Sequence, residues 1–399
     1  MNIFYHIYAR CFQEAFHIAI PILPYRNPKI LNNISDISKT LMDNKKNNPI
    51  IITDEGIVKV GLVDKLTNEL DKSGIKYTIY KDVVPNPTSD LIYKGLEIFH
   101  QFNCDSIIAF GGGSAMDTAK AIGALVARPK KSLAQLAGIL KVRKKIPMLI
   151  AIPTTCGTGS ETTLAAVVTD SKTRHKYAIN DFPLIPSYAV LDYNCIIGLP
   201  DFLIATTGMD ALTHAIEAYI GRSTTKSTRR DALEAIDTIF KNITNAYHHD
   251  HEALQNMLIA SHKAGRAFSK SYVGYVHAIA HSLGGKYNIA HGLANSIILP
   301  YVLDEYGSKI YKKLSKIAIY TKLGNKSLSK EENALLVINK IKDLLNELNI
   351  KKNISEIQEE DVDEMAMYAL KEANPLYPVP VLFDKKRIVK LYHKIKGIS

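Results

Sequence analysis

Short β-branched runs and amphipathic stretches alternate along the first half of this 399-residue chain. Pro49–Thr53, Lys76–Val84, Ser106–Phe110 and Met148–Ile152 read as strands, with Val60–Ser73, Leu91–Phe102 and Ser114–Val126 as helices between them. Apart from Lys76–Val84, these runs are apolar almost throughout rather than alternating, as in strands buried on both faces. They predict a mostly parallel, Rossmann-like sheet covered by helices on both sides. Such sheets bind ligands at the carboxyl ends of their strands. After about residue 205 the strand signals stop and helical spacing takes over, as in Leu335, Leu336, Ile338, Ile341, Leu344, Leu345 and Leu348. The expected fold is an α/β N-terminal domain over residues 28–200 and an all-α C-terminal domain over 201–399, with a cleft between them. Residues 1–27 form a helical extension ahead of both. Its Phe4, Ile7, Tyr8, Cys11, Phe12, Ala15, Ile18 and Ala19 make one apolar stripe, which predicts docking on the chain itself or on a second subunit. An anchor on a membrane surface would carry more basic residues.

Composition narrows the class. Apolar residues at 46% and charged residues at 22% exclude disorder, collagen and coiled coil. The net charge of +11 raises the question of a polyanionic partner. The lysines, however, are scattered in pairs such as Lys45-Lys46, Lys130-Lys131 and Lys351-Lys352, with no aromatic-interleaved basic block, so no nucleic-acid partner is expected. Cys11, Cys104, Cys156 and Cys195 lie far apart, which predicts neither a disulfide framework nor a sulfur-ligated zinc site and suits a reducing cytoplasm. No stretch of the length and apolarity of a transmembrane helix is present, and the N-terminal run lacks the features of a secretory signal.

Two glycine-rich turns carry the first chemistry. Ser106–Lys120 reads strand, Gly111-Gly112-Gly113, helix, and Pro153–Glu161 is a second turn rich in hydroxyls and glycines after a buried strand. Glycines let the backbone turn and approach a ligand, and a helix start offers unpaired N–H groups to a pyrophosphate. The spacing is not G-x-G-x-x-G. Asp54, at the end of the Pro49–Thr53 strand, can accept from ribose hydroxyls and would repel a 2′-phosphate; it can equally be a helix N-cap.

Sharper chemistry lies further on. Asp210 and His214 are four residues apart, as are His277 and His281, and His291 begins the next predicted helix. On a helix such pairs share one face. A carboxylate with several imidazoles suits a borderline divalent ion, Fe(II) or Zn(II). Spacing alone selects His277 with His281 as the second ligand pair. The cluster His248-His249-Asp250-His251 sits in a polar turn, where Asp250 reads as a helix cap.

Together these motifs resemble the iron-containing (group III) alcohol dehydrogenase family, from about Asn48 to Lys394. The resemblance rests on V-P-N-P-T (84–88), G-G-G-S-A-M-D (111–117), P-T-T-C-G-T-G-S-E (153–161), G-M-D-A-L-T-H-A-I-E-A-Y (208–219) and H-A-I-A-H-S-L-G-G-K-Y-N-I-A-H-G-L-A-N (277–295). It implies a dehydroquinate-synthase-like fold, an NAD(H)-linked interconversion of a primary alcohol or diol with its aldehyde, and a homodimer. It puts one divalent metal, Fe(II) before Zn(II), on Asp210, His214, His277 and His291. This overrules the spacing and leaves His281 beside cofactor and substrate as the catalytic proton relay. Cofactor contacts map onto Asp54, Asn86, Gly111, Gly112, Gly113, Ser114, Asp117, Thr154, Thr155, Thr158 and Lys176. The alternatives on this scaffold are a lyase resembling dehydroquinate synthase and a glycerol-dehydrogenase-like enzyme. Cys156 departs from the family's A-G-T-G-S-E string and reads as a small packed side chain. The family does not account for the N-terminal helix.

Overall fold

The computed structural model of the protein describes residues 3–173 and 175–397. The chain divides into two compact units, one over Pro24–Leu199 and one joining the residues up to Leu23 with those from Pro200 onward. The first helix, α1 (Ile3–Ala19), thus belongs with the C-terminal residues, because its side chains bond to that part of the chain.

The α/β unit runs β1 (Lys29–Leu31), α2 (Asp36–Asp43), β2 (Pro49–Ile52), α3 (Glu55–Lys59), α4 (Leu62–Lys72), β3 (Thr78–Tyr80), α5 (Ser89–Gln101), β4 (Ser106–Gly111) and α6 (Gly113–Ala127). It continues with α7 (Leu133–Leu136), β5 (Gly138–Ile139), β6 (Met148–Pro153), β7 (Ala165–Thr169), β8 (Lys176–Asn180) and β9 (Tyr188–Val190). Six strands form a wholly parallel sheet in the order β1-β9-β6-β4-β2-β3. Ile50, Ile51 and Ile52 of β2 and Ile107, Ile108 and Ala109 of β4 are fully buried, which is why these strands read as continuous apolar runs. One face packs on α6, the other on α2 and α4.

Two features depart from the sequence pattern. The Lys76–Val84 run yields only the three residues of β3. Segments 138–139, 165–169 and 176–180 form a small second sheet, β5-β8-β7, with β7 and β8 antiparallel. All three are short; β5 and β8 are largely unburied and lack the apolar run that marks the main sheet, while β7 is apolar but only five residues long.

The helical unit holds α8 (Asp201–Ile220), α9 (Lys226–Tyr247), α10 (His251–Ser271), α11 (Tyr275–Tyr287), α12 (His291–Tyr306), α13 (Ser308–Tyr320), α14 (Lys330–Glu347), α15 (Glu359–Ala373) and α16 (Lys385–Lys396). No strand occurs in it among the described residues. α8 is buried almost throughout and packs against α9, α10 and α12. Gly292 permits the last of these contacts: a Cβ there would lie 2.6 Å from the Thr206 carbonyl oxygen. α12 can therefore lie directly on α8, which brings His291 to Asp210. Asp250 caps α10 by accepting from the Ala253 N–H, and His249 bonds to Asp201, so this cluster closes on structural partners. Leu335 and Leu336 point outward while Ile338, Ile341 and Leu344 are buried, so only part of the predicted stripe on α14 faces the core. No helix among the described residues is long and apolar enough to cross a membrane.

Candidate active site

The first assembly of functional residues lies at the carboxyl ends of three adjacent strands. β2, β4 and β6 pair in register, Ile52 with Ala109 and Gly111 with Pro153, so Asp54, the glycine turn and Thr154 emerge side by side. Asp54 both caps and faces the turn. Its Oδ1 accepts the Ile57 N–H at 3.0 Å, capping α3, while Oδ2 lies 3.8 Å from where a Cβ on Gly111 would stand. None of the three glycines needs a left-handed backbone. What Gly111 supplies is closeness, since a Cβ would sit 2.7 Å from the Ala115 Cβ. The two turns touch: Thr155 lies next to Gly112 and Thr158 next to Gly113. Thr154 donates its N–H to the Gly111 carbonyl, and the buried Thr155 Oγ1 has no hydrogen-bond partner. Ser114 stands half-buried in the first turn of α6.

Asn86 and Lys176 meet at the edge of the same unit, Nζ donating to Oδ1 at 2.9 Å. Backbone pairing makes the contact, because Thr169 donates its N–H to Pro87 and pairs with Lys176 across β7 and β8. Cys156 is fully buried, as a packed side chain should be.

Lys120, which sequence reasoning gave no role, locks the two turns together. It is fully buried on α6 and donates to the Ser160 carbonyl (2.7 Å), the Ala165 carbonyl (2.9 Å), Thr163 Oγ1 (2.8 Å) and Ser160 Oγ (3.1 Å). Burial pulls its ammonium below the ordinary lysine range, opposed by the carboxylates of Asp117 and Glu161. Desolvation raises the Asp117 carboxyl, opposed by Lys120 and by hydrogen bonds from Val167 and Ser160. The signal in the sequence is the pair of charges, Asp117 and Lys120, inside the otherwise mostly apolar run Ala115–Leu125.

The second assembly lies in the helical unit. Asp210, His214, His277 and His291 each offer a ligand atom, all within 4.8 Å of one another. α8 supplies the first two at i and i+4, α11 the third and the start of α12 the fourth. The His214 and His277 rings lie 4.5 Å apart between centroids, and His277 and His291 lie 5.3 Å apart. Phe268 stacks on His214 at 4.1 Å, closing that side. His281 lies next to this group, its ring stacked on His291 at 5.1 Å and its Nδ1 2.6 Å from Glu372 Oε1. The geometry thus gathers His291, not His281, with the other three, because α12 packs on α8 while His281 turns to α15.

The groups behind the cluster are as informative. Glu217, one turn beyond His214, is buried; its Oε2 accepts from His277 Nδ1 (2.6 Å) and the Gly274 N–H (2.9 Å), and its Oε1 from the Val276 N–H (2.9 Å). Desolvation pushes its carboxyl up to about 7 against those three hydrogen bonds. With Nδ1 so engaged, His277 Nε2 is buried and has no hydrogen-bond partner. A buried lone pair without a donor is costly unless something binds it. Desolvation, together with the neighbouring imidazoles, holds His277 well below the ordinary histidine value. His291 is lowered to about 4, first by desolvation among its neighbours although 40% of its side chain stays open. Neutral imidazoles present lone pairs, as metal ligation requires. Asn295 Nδ2 donates to Asp210 Oδ1 at 2.7 Å and lies 3.0 Å from His291 Nε2. The donor set of three imidazoles and one carboxylate fits a borderline divalent ion. Sequence spacing could have found Glu217, which shares a helix face with Asp210 and His214, but not Glu372, which lies 91 residues from His281.

Comparison with known proteins gives the family. Residues 29–193 match the iron-containing alcohol dehydrogenase family model, and residues 204–396 match the model of that family's C-terminal part. The 1,3-propanediol dehydrogenase of Citrobacter freundii is 34% identical over 385 residues, 95% of this chain and 98% of that protein. The solved structure of a 1,3-propanediol oxidoreductase, also 34% identical, superposes with a TM-score of 0.89 over 93% of this chain and 99% of the other. A sulfoacetaldehyde reductase from Bifidobacterium kashiwanohense, solved in complex with NAD+, gives 0.83 at 26% identity, over 94% and 99% of the two chains. By class the chain is therefore an alcohol dehydrogenase. It belongs to the iron-containing alcohol dehydrogenase family.

Proposed function

We propose that this protein is a metal-dependent, NAD(H)-linked oxidoreductase that interconverts a primary alcohol or diol with its aldehyde. The carrying observation is the convergence of Asp210, His214, His277 and His291, with a buried His277 Nε2 that no protein group satisfies. These four residues would hold one divalent ion, Fe(II) ahead of Zn(II). When bound, that ion supplies a Lewis acid for the alcohol oxygen, and NAD supplies the hydride acceptor. Glu217 fixes the His277 ring and keeps the proton on Nδ1, and Asn295 orients Asp210. His281, held through Nδ1 by Glu372, takes the alcohol proton at Nε2 and passes it toward solvent. Asp54 receives the adenosine ribose hydroxyls and disfavours a 2′-phosphate, while Gly111–Ser114, Thr154, Thr155 and Thr158 line the pyrophosphate side. Asp117, Asn86 and Lys176 complete the cofactor contacts.

The relatives are dehydrogenases and reductases of alcohols and aldehydes, which does not favour the lyase alternative. We further read the protein as a homodimer in a reducing cytoplasm, where its four free thiols are at home. The test is metal analysis of anaerobically purified protein together with an NAD-linked panel of primary alcohols and diols. One metal per chain with NADH formation is expected. His277→Ala with full metal content and full turnover would overturn the ligand assignment.

A further inference from the structure

The first helix is docked with its faces inverted. Polar residues of α1 tie it to its own unit: Arg10 donates to the Val379 (2.7 Å) and Pro380 (3.1 Å) carbonyls, and Gln13 to those of Tyr377 (2.7 Å) and Pro375 (3.2 Å). Ala9 and Gln13 are buried, and Phe16 packs edge-on against Tyr272. The apolar stripe points the other way. Phe4 is 76% exposed, Ile18 69%, and Ile7 and Tyr8 54% each. Tyr5, Tyr8 and Phe12 form an exposed ladder with ring centroids 6.0 and 6.4 Å apart.

Weighted by exposure, with a full side-chain area of about 200 Å² each, these six residues present roughly 650 Å². Ile22, 85% exposed in the next turn, brings the total to roughly 800 Å² on the same basis. An ordinary monomer's largest apolar patch is about 300–600 Å², and each partner in a standard dimer contributes about 800 Å². A groove of about 570 Å³ beside Tyr5 continues the surface; Met367, Tyr368 and Phe383 line it together with the charged Glu364, Lys371 and Asp384. The charge on the helix selects the occupant. Arg10 is spent on carbonyls, and Glu14 is the exposed charge of α1 among its described residues. A helix that lies on anionic lipid carries Lys or Arg. A largely apolar face whose one exposed charge is the carboxylate of Glu14 suits a second copy of this chain better than anionic lipid, since isologous pairing sets like against like.

We propose that two copies of the protein pair through the exposed faces of α1, crossing near its midpoint at Cys11. This deepens the homodimer reading above by naming its interface. The chain carries its own probe: Cys11 is exposed, whereas Cys104, Cys156 and Cys195 are buried. A two-fold pairing brings Cys11 next to its own copy. A short bis-maleimide should therefore link full-length protein into a covalent dimer, and Cys11→Ser should abolish the link. Tyr8→Glu puts a charge on the face without touching the docked side, and should raise the dimer dissociation constant by about 30-fold or more in sedimentation equilibrium. A wild-type far-UV circular dichroism spectrum in that variant shows that the fold is intact, whereas its thermal midpoint should fall as dimer is lost. A dimer that gives no Cys11 link and is indifferent to Tyr8→Glu would overturn the α1 interface while leaving the homodimer reading standing. A monomer overturns both, and flotation of that monomer with phosphatidylserine vesicles would assign the face to lipid instead.

Discussion

Replacing Glu217 by glutamine would test whether a residue outside the proposed ligand set governs metal binding. Both oxygens of this carboxylate accept backbone N–H groups, and Oε2 also accepts His277 Nδ1–H at 2.6 Å. Glutamine is nearly isosteric but must turn an NH2 toward either Val276 N–H or the pair formed by Gly274 N–H and His277. In the first case one buried backbone donor loses its partner. In the second, Nδ1 becomes an acceptor and the ring proton moves to Nε2, the atom that the ligand cluster needs bare. A stranded donor costs about 1–3 kcal/mol of stability. Loss of an orienting carboxylate behind a ligating histidine weakens metal affinity about 10–100-fold. Because bound metal stabilises by mass action, the gap between metal-free and metal-loaded stability should shrink by about 1.4–2.8 kcal/mol at saturating ion. Chelator competition gives the first number and denaturant unfolding with and without added Fe(II) or Zn(II) the second. Wild-type metal affinity in Glu217→Gln, alongside its loss in His277→Ala, would refute this role for Glu217.

Three further outcomes follow from other parts of the molecule. Asp54→Ser keeps an oxygen to cap the Ile57 N–H but removes the charge, so relative affinity for NADP over NAD should rise at least about tenfold in binding titrations. An unchanged ratio would dissociate Asp54 from the ribose. Lys120→Met removes the donor to the Ala165 carbonyl and the cation opposite the buried Asp117 carboxylate, and should cost about 3–5 kcal/mol in urea unfolding. A loss below 1 kcal/mol, on the order of one exposed contact, would mean the turns hold without it. Lys313 donates to the carbonyls that end α8, yet desolvation, with help from Arg229, Arg222 and Lys316, pushes its ammonium down to about 8. The folded state therefore holds this proton less tightly than the unfolded chain, so the penalty is complete below pH 8 and fades as pH climbs toward 10.5. Between about pH 7 and pH 10, wild type should gain about 2–3 kcal/mol relative to Lys313→Met. A difference that does not move with pH would show that the burial is relieved in some other way.

What the sequence disclosed follows physical lines. Strands buried on both faces announce themselves as unbroken apolar runs, so β2, β4 and β6 were legible, and with them the strand ends where Asp54, Gly111 and Thr154 gather. The short apolar run of β7 is overlooked and the mostly half-exposed β8 carries none, although their pairing is what delivers Lys176 to Asn86. On α8, helical spacing placed Asp210 with His214. The same spacing misled on α11, where His277 and His281 share a helix but not a partner. Which imidazole joins the cluster depends on α12 lying hard against α8 through Gly292, and local periodicity holds no information about a contact between distant segments.

The N-terminal helix shows the same limit from the opposite side. Its apolar stripe was correctly located, but amphipathicity says only which face is apolar, not which face the rest of the chain will cover. Here the docking partner is the 375–380 segment, whose carbonyls need donors more than apolar cover. Arg10 and Gln13 satisfy four such bonds, which fixes the rotation of α1 and leaves Phe4, Ile7 and Tyr8 facing outward. The same segment carries Tyr377, whose hydroxyl donates to Glu372 Oε1 at 2.7 Å, the oxygen that also holds His281. Buried polar groups thus decide the orientation of a helix whose hydrophobic pattern points elsewhere. They also tie a segment outside the family's matched residues to the group that positions His281.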